Sequence, residues 1–219
     1  HNERLLTDTS LSGGILGGTE NLVQSSVEYV RLRDDPFSGG RNTWAFRGFL
    51  AGAGSFGGKA LPLHSRLFAG EELVRGFRTG VLAPYTITSA KTTEGGQTLH
   101  LRSGGANLVV AGNTEYRMPL PEWTGGANVA AFFDAGAGWL LPGWLGGDAP
   151  ELLGGTNGVL HTSSGVELRV PLSAVRQNLR LYYAVNPLRL AESLLLPDGS
   201  AFRPGERRSA FGWALGALF

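Results

Sequence analysis

Few residues of this chain are arranged for covalent chemistry. Cysteine is absent, and four histidines (His1, His64, His100 and His161) leave little from which to build a zinc site. The segment AGSFG at 53–57 misses the nucleophile-elbow pattern at its first glycine. GSFGGKA at 54–60 lacks the Lys-Ser/Thr ending of a phosphate-binding loop. Asp8, Asp134 and His161 form no arrangement that reads as a triad. An enzyme is therefore not expected, and nothing calls for a metal or a cofactor. The residue that invites a chemical question is an arginine, Arg75 in LVRGFR at 73–78, followed by Gly76 and Phe77. It lies within residues 55–105, which carry no sustained strand or helix period. A structureless stretch that long is usually disordered or functional. A guanidinium placed there offers electrostatics: it can grip a carboxylate through two parallel hydrogen bonds.

The elements that could position such a group are strands. In a strand successive side chains point to opposite faces, and the alternation is clearest at 177–186, QNLRLYYAVN. There Leu179, Leu181, Tyr183 and Val185 oppose Arg180, Tyr182, Ala184 and Asn186. Residues 165–172 set Val166, Leu168, Val170 and Leu172 against Glu167 and Arg169. Residues 128–139 place Val129, Ala131, Phe133, Ala135, Ala137 and Trp139 opposite Asp134. Residues 113–120 oppose Tyr116, Met118 and Leu120 to Asn113, Glu115 and Arg117, and 43–50 oppose Trp44, Phe46 and Leu50 to Arg47. Residues 21–34 alternate through Val23, Val27 and Tyr29, with a slip near Val30–Arg31 that suggests a bulge. Residues 5–16 form a weaker strand rich in Ser and Gly, and 206–219 close the chain. That makes eight strands, and Glu115 and Asp134 fall on the polar faces of neighbouring ones.

Connections alternate in length. PFSGGR, PEWTGG and SAVR are short turns of turn-forming residues, whereas strands three to four, five to six and seven to eight are joined by loops of about fifty, twenty and sixteen residues, the alternation outer-membrane barrels show. Only the first link, near Gly17–Glu20, is shorter than this scheme expects. Composition agrees. Glycine supplies 34 of 219 residues and charged residues only 17 %, against roughly a quarter in a soluble domain. Trp44, Trp139, Trp213, Tyr29, Tyr183 and Phe219 lie on the apolar faces near strand ends, where an interfacial girdle would place them. No run approaches the ~18 apolar residues of a membrane-spanning helix. Net charge is +1 with scattered basic residues, so no nucleic-acid footprint exists. The expected fold is all-β: one transmembrane antiparallel β-barrel domain over residues 1–219, of about eight strands, with apolar faces toward lipid.

Four motifs resemble the BamA-type outer-membrane assembly superfamily, the bacterial surface antigen family. They are LPLHSRLFAGEELVRGFRTGVLAPY at 61–85, GNTEYRMPLP at 112–121, AAFFDAGAGW at 130–139 and the closing FGWALGALF at 211–219. They occur in the family's order and cover roughly residues 21–219. The resemblance implies an extracellular loop that folds back into the lumen, its arginine pairing with acids of the inner wall. By motif these are Arg75, with Gly76 and Phe77, and the acids Asp134 and Glu115. It further implies that Phe211, Trp213, Leu215 and Phe219 form the C-terminal signal read by assembly machinery. This chain departs from the family at Glu71, where a second glycine is usual. It also lacks the periplasmic POTRA modules and the full set of sixteen strands.

The resemblance implies a bacterial outer-membrane protein of the insertion and translocation type, with the lipid bilayer and other outer-membrane barrels as partners. Three forms follow: a reduced member with an imperfectly closed seam, a structural or pore-forming barrel that self-associates through strand edges, or the C-terminal half of a sixteen-stranded barrel.

Overall fold

The computed structural model describes residues 2–14, 17, 20–91, 97–172 and 176–216. The strands are β1 (Asn2–Ser12), β2 (Leu22–Asp34), β3 (Thr43–Ser55), β4 (Tyr85–Lys91), β5 (Gln97–Ser103), β6 (Leu108–Pro119), β7 (Asn128–Trp139), β8 (His161–Leu172), β9 (Gln177–Val185), β10 (Leu194–Leu195), β11 (Ala201–Phe202) and β12 (Ser209–Leu215). Eight of them form one sheet in the order β1-β2-β3-β6-β7-β8-β9-β12. Every neighbour is antiparallel. Two small hairpins, β4–β5 and β10–β11, stand apart from it.

The alternation inferred from sequence sorts the side chains as expected for an inverted core. On one face Leu50, Val110, Phe133, Val166 and Tyr183 are all more than two-fifths exposed. On the other, Ala45, Ala130, Glu115, Asp134 and Glu167 are buried. Charge inside and hydrocarbon outside is the reverse of a soluble sandwich. Trp144 adds to the outer face from a loop: it lies over Gly52, where an added Cβ would come within 3.3 Å of its ring. Strand alternation could not reveal it, because Trp144 sits in a 3₁₀ turn, Pro142–Trp144.

Strand boundaries follow from the turns. Asp35 accepts hydrogen bonds from Phe37 N (3.2 Å) and from the Tyr116 hydroxyl (2.8 Å), locking the β2–β3 turn. The Tyr116 bond, followed by the turn's own donors, holds the Asp35 carboxyl below its ordinary range.

Several expectations are corrected. β2 carries no bulge: Val30 and Arg31 pair in unbroken register with β1 and β3. Val30 is buried on the inner face and Arg31 is exposed on the outer. The hydrophobic pattern inverts there because the strand nears the rim, without any slip in pairing. The first strand begins at Asn2 and stops at Ser12, short of the expected 5–16. Residues 55–105 are not free of regular structure. They hold the β4–β5 hairpin, paired from Tyr85–Ser103 to Lys91–Gln97, and residues 151–153 bond to its first strand through Ile87 N to Glu151 O and Leu153 N to Tyr85 O. Its apolar face holds only Tyr85 and Ile87 from one strand and Leu99 and Leu101 from the other, too short a run to show a sustained period.

Closure also differs. Among the described residues β1 and β12 are not paired with each other, so the sheet is an open curl. An eight-stranded closure leaves room for little beyond side chains, and here part of the long loop lies against the inner face. Among the described residues β1 has a strand on one side, and it is exposed along both faces.

If the outer face meets acyl chains, Val166→Arg near the middle of β8 should cost about 2–4 kcal/mol of folding free energy in a bilayer, and Leu172→Arg at its end less than about 1. Reversible denaturant unfolding in lipid vesicles measures both; equal, small losses would contradict the assigned polarity.

Candidate functional site

The inner wall of β6–β9 gathers charge because alternate positions of neighbouring strands come into register. Asn113 pairs with Asp134, Glu115 with Phe132, Glu167 with Tyr182, and Arg169 with Arg180. Each of these side chains belongs to the buried face. Three carboxylates so close would repel one another in the absence of cations.

The long loop supplies the central cation. Residues 70–74 form a tight turn, with Leu73 N and Val74 N both donating to Gly70 O at 3.0 and 2.8 Å. Ala69, Leu73, Val74, Phe77, Leu82 and Ala83 pack on Ala106, Val109 and Ala111 of the wall and its approach. This apolar contact seats the turn and turns Arg75 inward. Its guanidinium is 1 % exposed. Nε and Nη2 donate to the two oxygens of Asp134 at 2.8 and 2.7 Å, and the backbone N adds a bond of 3.1 Å. Nη1 reaches Glu115 at 2.9 Å and Glu167 at 3.0 Å. The guanidinium carbon lies 3.6 Å from the centre of the Phe132 ring, which covers one face of the cation.

Three wall arginines complete the network. Arg169 binds Glu115 through Nη2 at 2.7 and 2.8 Å and Glu167 through Nε at 2.6 Å. Arg180 forks onto Glu167 at 2.8 and 2.7 Å, and Arg117 donates to Glu115 at 2.8 Å. Asn113 bridges wall and loop, donating to Asp134 at 2.8 Å and to Leu73 O at 2.7 Å.

Gly76 sits at φ +85°, a conformation that L side chains rarely adopt. An added Cβ would come within 3.0 Å of both Ala184 Cβ and Asn186 Oδ1. Its carbonyl accepts from Asn186 Nδ2 at 3.2 Å. Phe77 is buried and meets His161 edge-on, with ring centres 5.0 Å apart. Glu71 accepts a short hydrogen bond from the Tyr182 hydroxyl of β9. On the other flank Arg47 donates to Glu72 O at 3.1 Å and Gln24 to Ser65 O at 2.7 Å. The loop is thus fastened to strands on both sides of the curl.

The structure brings Arg75, Gly76, Phe77, Glu115 and Asp134 into one cluster. Phe211, Trp213 and Leu215 lie apart from it on the outer face of β12, and Phe219 lies outside the described residues. Glu167, Arg169 and Arg180 belong to the cluster yet were not singled out, although each stood on the polar face of its strand. Tyr182 and Asn186 stood on the same face as Arg180, but their partners are loop atoms, which strand alternation does not locate.

A family model described as the Omp85 superfamily domain matches residues 4–191. The chain belongs to the Omp85 superfamily. The match takes in β1, the segment for which the motif resemblance was weakest. Among solved structures, the fold is similar to that of BamA from Haemophilus ducreyi lacking POTRA domains 1–3, with a TM-score of 0.58 and 18 % identity. That likeness covers 89 % of this chain and 35 % of the other, so this Omp85 chain spans about a third of the structure it matches. No curated protein matches the sequence.

Replacing Arg75 by Ala should cost about 3–5 kcal/mol, because three buried carboxylates lose their shared cation. Thermal unfolding in detergent, with proteolysis of the loop as a second readout, tests this; an unchanged loop would remove the clamp from consideration. Gly76→Ala should destabilise by about 1–3 kcal/mol through backbone strain and the clash with Ala184, in the same assay.

Proposed function

We propose that this Omp85 domain works in the assembly or translocation of outer-membrane proteins, in the bacterial outer membrane. The observation that carries this reading is the edge of β1, an eleven-residue strand that among the described residues bonds to β2 alone. Unpaired backbone groups in hydrocarbon cost several kcal/mol each, so this edge is poised to template another strand. The partners are the lipid bilayer and other barrel proteins as clients, with no nucleic acid involved and no catalysis. Residues 1–219 act as one barrel-forming domain. Phe211, Trp213, Leu215 and Phe219 serve as the signal by which this chain is itself assembled.

The open curl favours completion by further strands, drawn either from a longer polypeptide of sixteen strands or from a second copy pairing edge to edge. A wide pore is the less favoured reading, because the Arg75 tip occupies the space against β6–β9. The test is the folding rate of an unfolded outer-membrane client in lipid vesicles with and without this protein. Acceleration at least several-fold, reduced by Arg75→Ala, is the expected result. No acceleration together with steady ion conductance would replace assembly by a channel role.

A further inference from the structure

The segment between β9 and β12, residues 186–208, forms a lid that touches the loop tip through Asn186 and is tied at other places to β8 and β4. Asn186 Nδ2 donates both to Gly76 O of the tip and to Arg207 O of the lid, at 3.2 and 3.1 Å. Leu188 and Thr162 at the top of β8 exchange two bonds, Thr162 N to Leu188 O at 3.1 Å and Leu188 N to Thr162 Oγ1 at 3.2 Å. Phe202 meets Tyr85 of β4 with ring centres 5.1 Å apart.

One contact in this region is titratable. His161 is 1 % exposed and Glu206 of the lid 3 %. Nε2 of His161 lies 3.3 Å from each carboxylate oxygen of Glu206, and Nδ1 lies 3.0 Å from Val159 O. Both ring nitrogens therefore face acceptors. A neutral imidazole has a single N–H and can satisfy only one of them; the imidazolium satisfies both and carries the charge opposite to Glu206. Glu206 Oε2 also accepts from Leu190 N at 2.8 Å, so the carboxylate ties the lid's own backbone into the contact.

The surroundings favour this reading. Phe77 covers the imidazole edge from the tip, and Gly136 of β7 stands opposite His161 in register without a side chain. The next inward acid, Asp134, is already held by Arg75. Tyr85 faces Glu206 from β4; burial first, then the Glu206 charge, raise its hydroxyl above the ordinary value, so it stays a neutral neighbour. Arg78 and Arg207 line a cleft of about 390 Å³ beside the contact, together with Tyr85 and Glu206.

We propose that His161 and Glu206 form an acid-held latch that fastens the lid, residues 186–208, over the tip of the Arg75 loop. Protonated His161 joins β8, the lid and, through Phe77, the loop tip. Loss of the proton leaves one acceptor without a donor and removes the ion pair, and the lid loosens while the Arg75 clamp stays closed.

Amide hydrogen exchange on the full chain in detergent micelles, corrected for the intrinsic pH dependence of exchange, reads the lid and the tip separately. Protection of 186–208 should fall on the order of tenfold between about pH 5.5 and about pH 8.5, with residues 73–77 unchanged. His161→Gln and Glu206→Gln should each abolish that step, and the tip's protection reports that the variant is folded. A wild-type lid equally protected at both pH values, or a step that survives in either folded variant, would overturn the latch. The assay uses no client, so its result is independent of the assembly activity.

Discussion

A guanidinium buried among three carboxylates is the constraint on which this architecture turns. Taking Arg75, Glu115, Asp134 and Glu167 out of water carries a large desolvation cost, and only dense mutual bonding offsets it. That bonding is present: Asp134 is met by two guanidinium nitrogens and a backbone N–H of the same residue. Such a cluster need add little net stability, since a well-packed apolar substitute could serve as well. Its effect lies in specificity. The fork of Asp134 and the points of contact at Glu115 and Glu167 accept the loop in one position, and slippage by one residue would present Val74 or Gly76 to three anions.

That requirement explains why the sheet has its polarity. Strands β6 to β9 must turn their charged positions toward one another, so their apolar positions face outward by the geometry of the pleat. The exposed row of Val110, Phe133, Val166 and Tyr183 is then a consequence of the same alternation that buries the acids. An outer face of this kind suits hydrocarbon, and the small residues Ala184 and Gly76 let the loop backbone approach the wall. The same approach fills the interior that an eight-stranded closure would need, which links the docked loop to the open edges of the sheet.

Much of this was legible in the amino-acid order. The eight strands of the sheet, their sequence and the inward faces of Glu115 and Asp134 follow from a period of two, which long alternating segments carry strongly. What escaped reading has identifiable causes. Glu167 and Arg169 sat on the polar face of β8, but parity alone cannot say which inward charges share a layer; register does, and register is set by turns. The β4–β5 hairpin gathers Tyr85, Ile87, Leu99 and Leu101 on one face, but each strand contributes only two of them, too short a run for a period to stand out. At β2 the apolar pattern changes face because Val30 is buried on the inner face and Arg31 is exposed on the outer, and this imitates a bulge. Closure was left open by the sequence: the weak strand at 5–16 allowed an imperfect seam, but an edge strand and a central strand can share one alternation.

The distribution of tethers has a mechanical consequence. β9 is bound to the loop by Tyr182 to Glu71 and to the wall network by Arg180, and its continuation at Asn186 holds the tip. Glu71 strengthens this flank and so ties the loop to the strand beside β12. β1 has no comparable support. Of its ion pairs, Glu3–Arg31 joins two side chains about half exposed and Arg4–Glu28 joins a half-exposed arginine to a carboxylate 18 % exposed; exposed pairs contribute little. Regions with few buried contacts open at the least free energy. The β9 flank and its docked loop are therefore the braced part of the sheet, while the edge strands β1 and β12, each bonded among the described residues to a single neighbour, open at lower free energy.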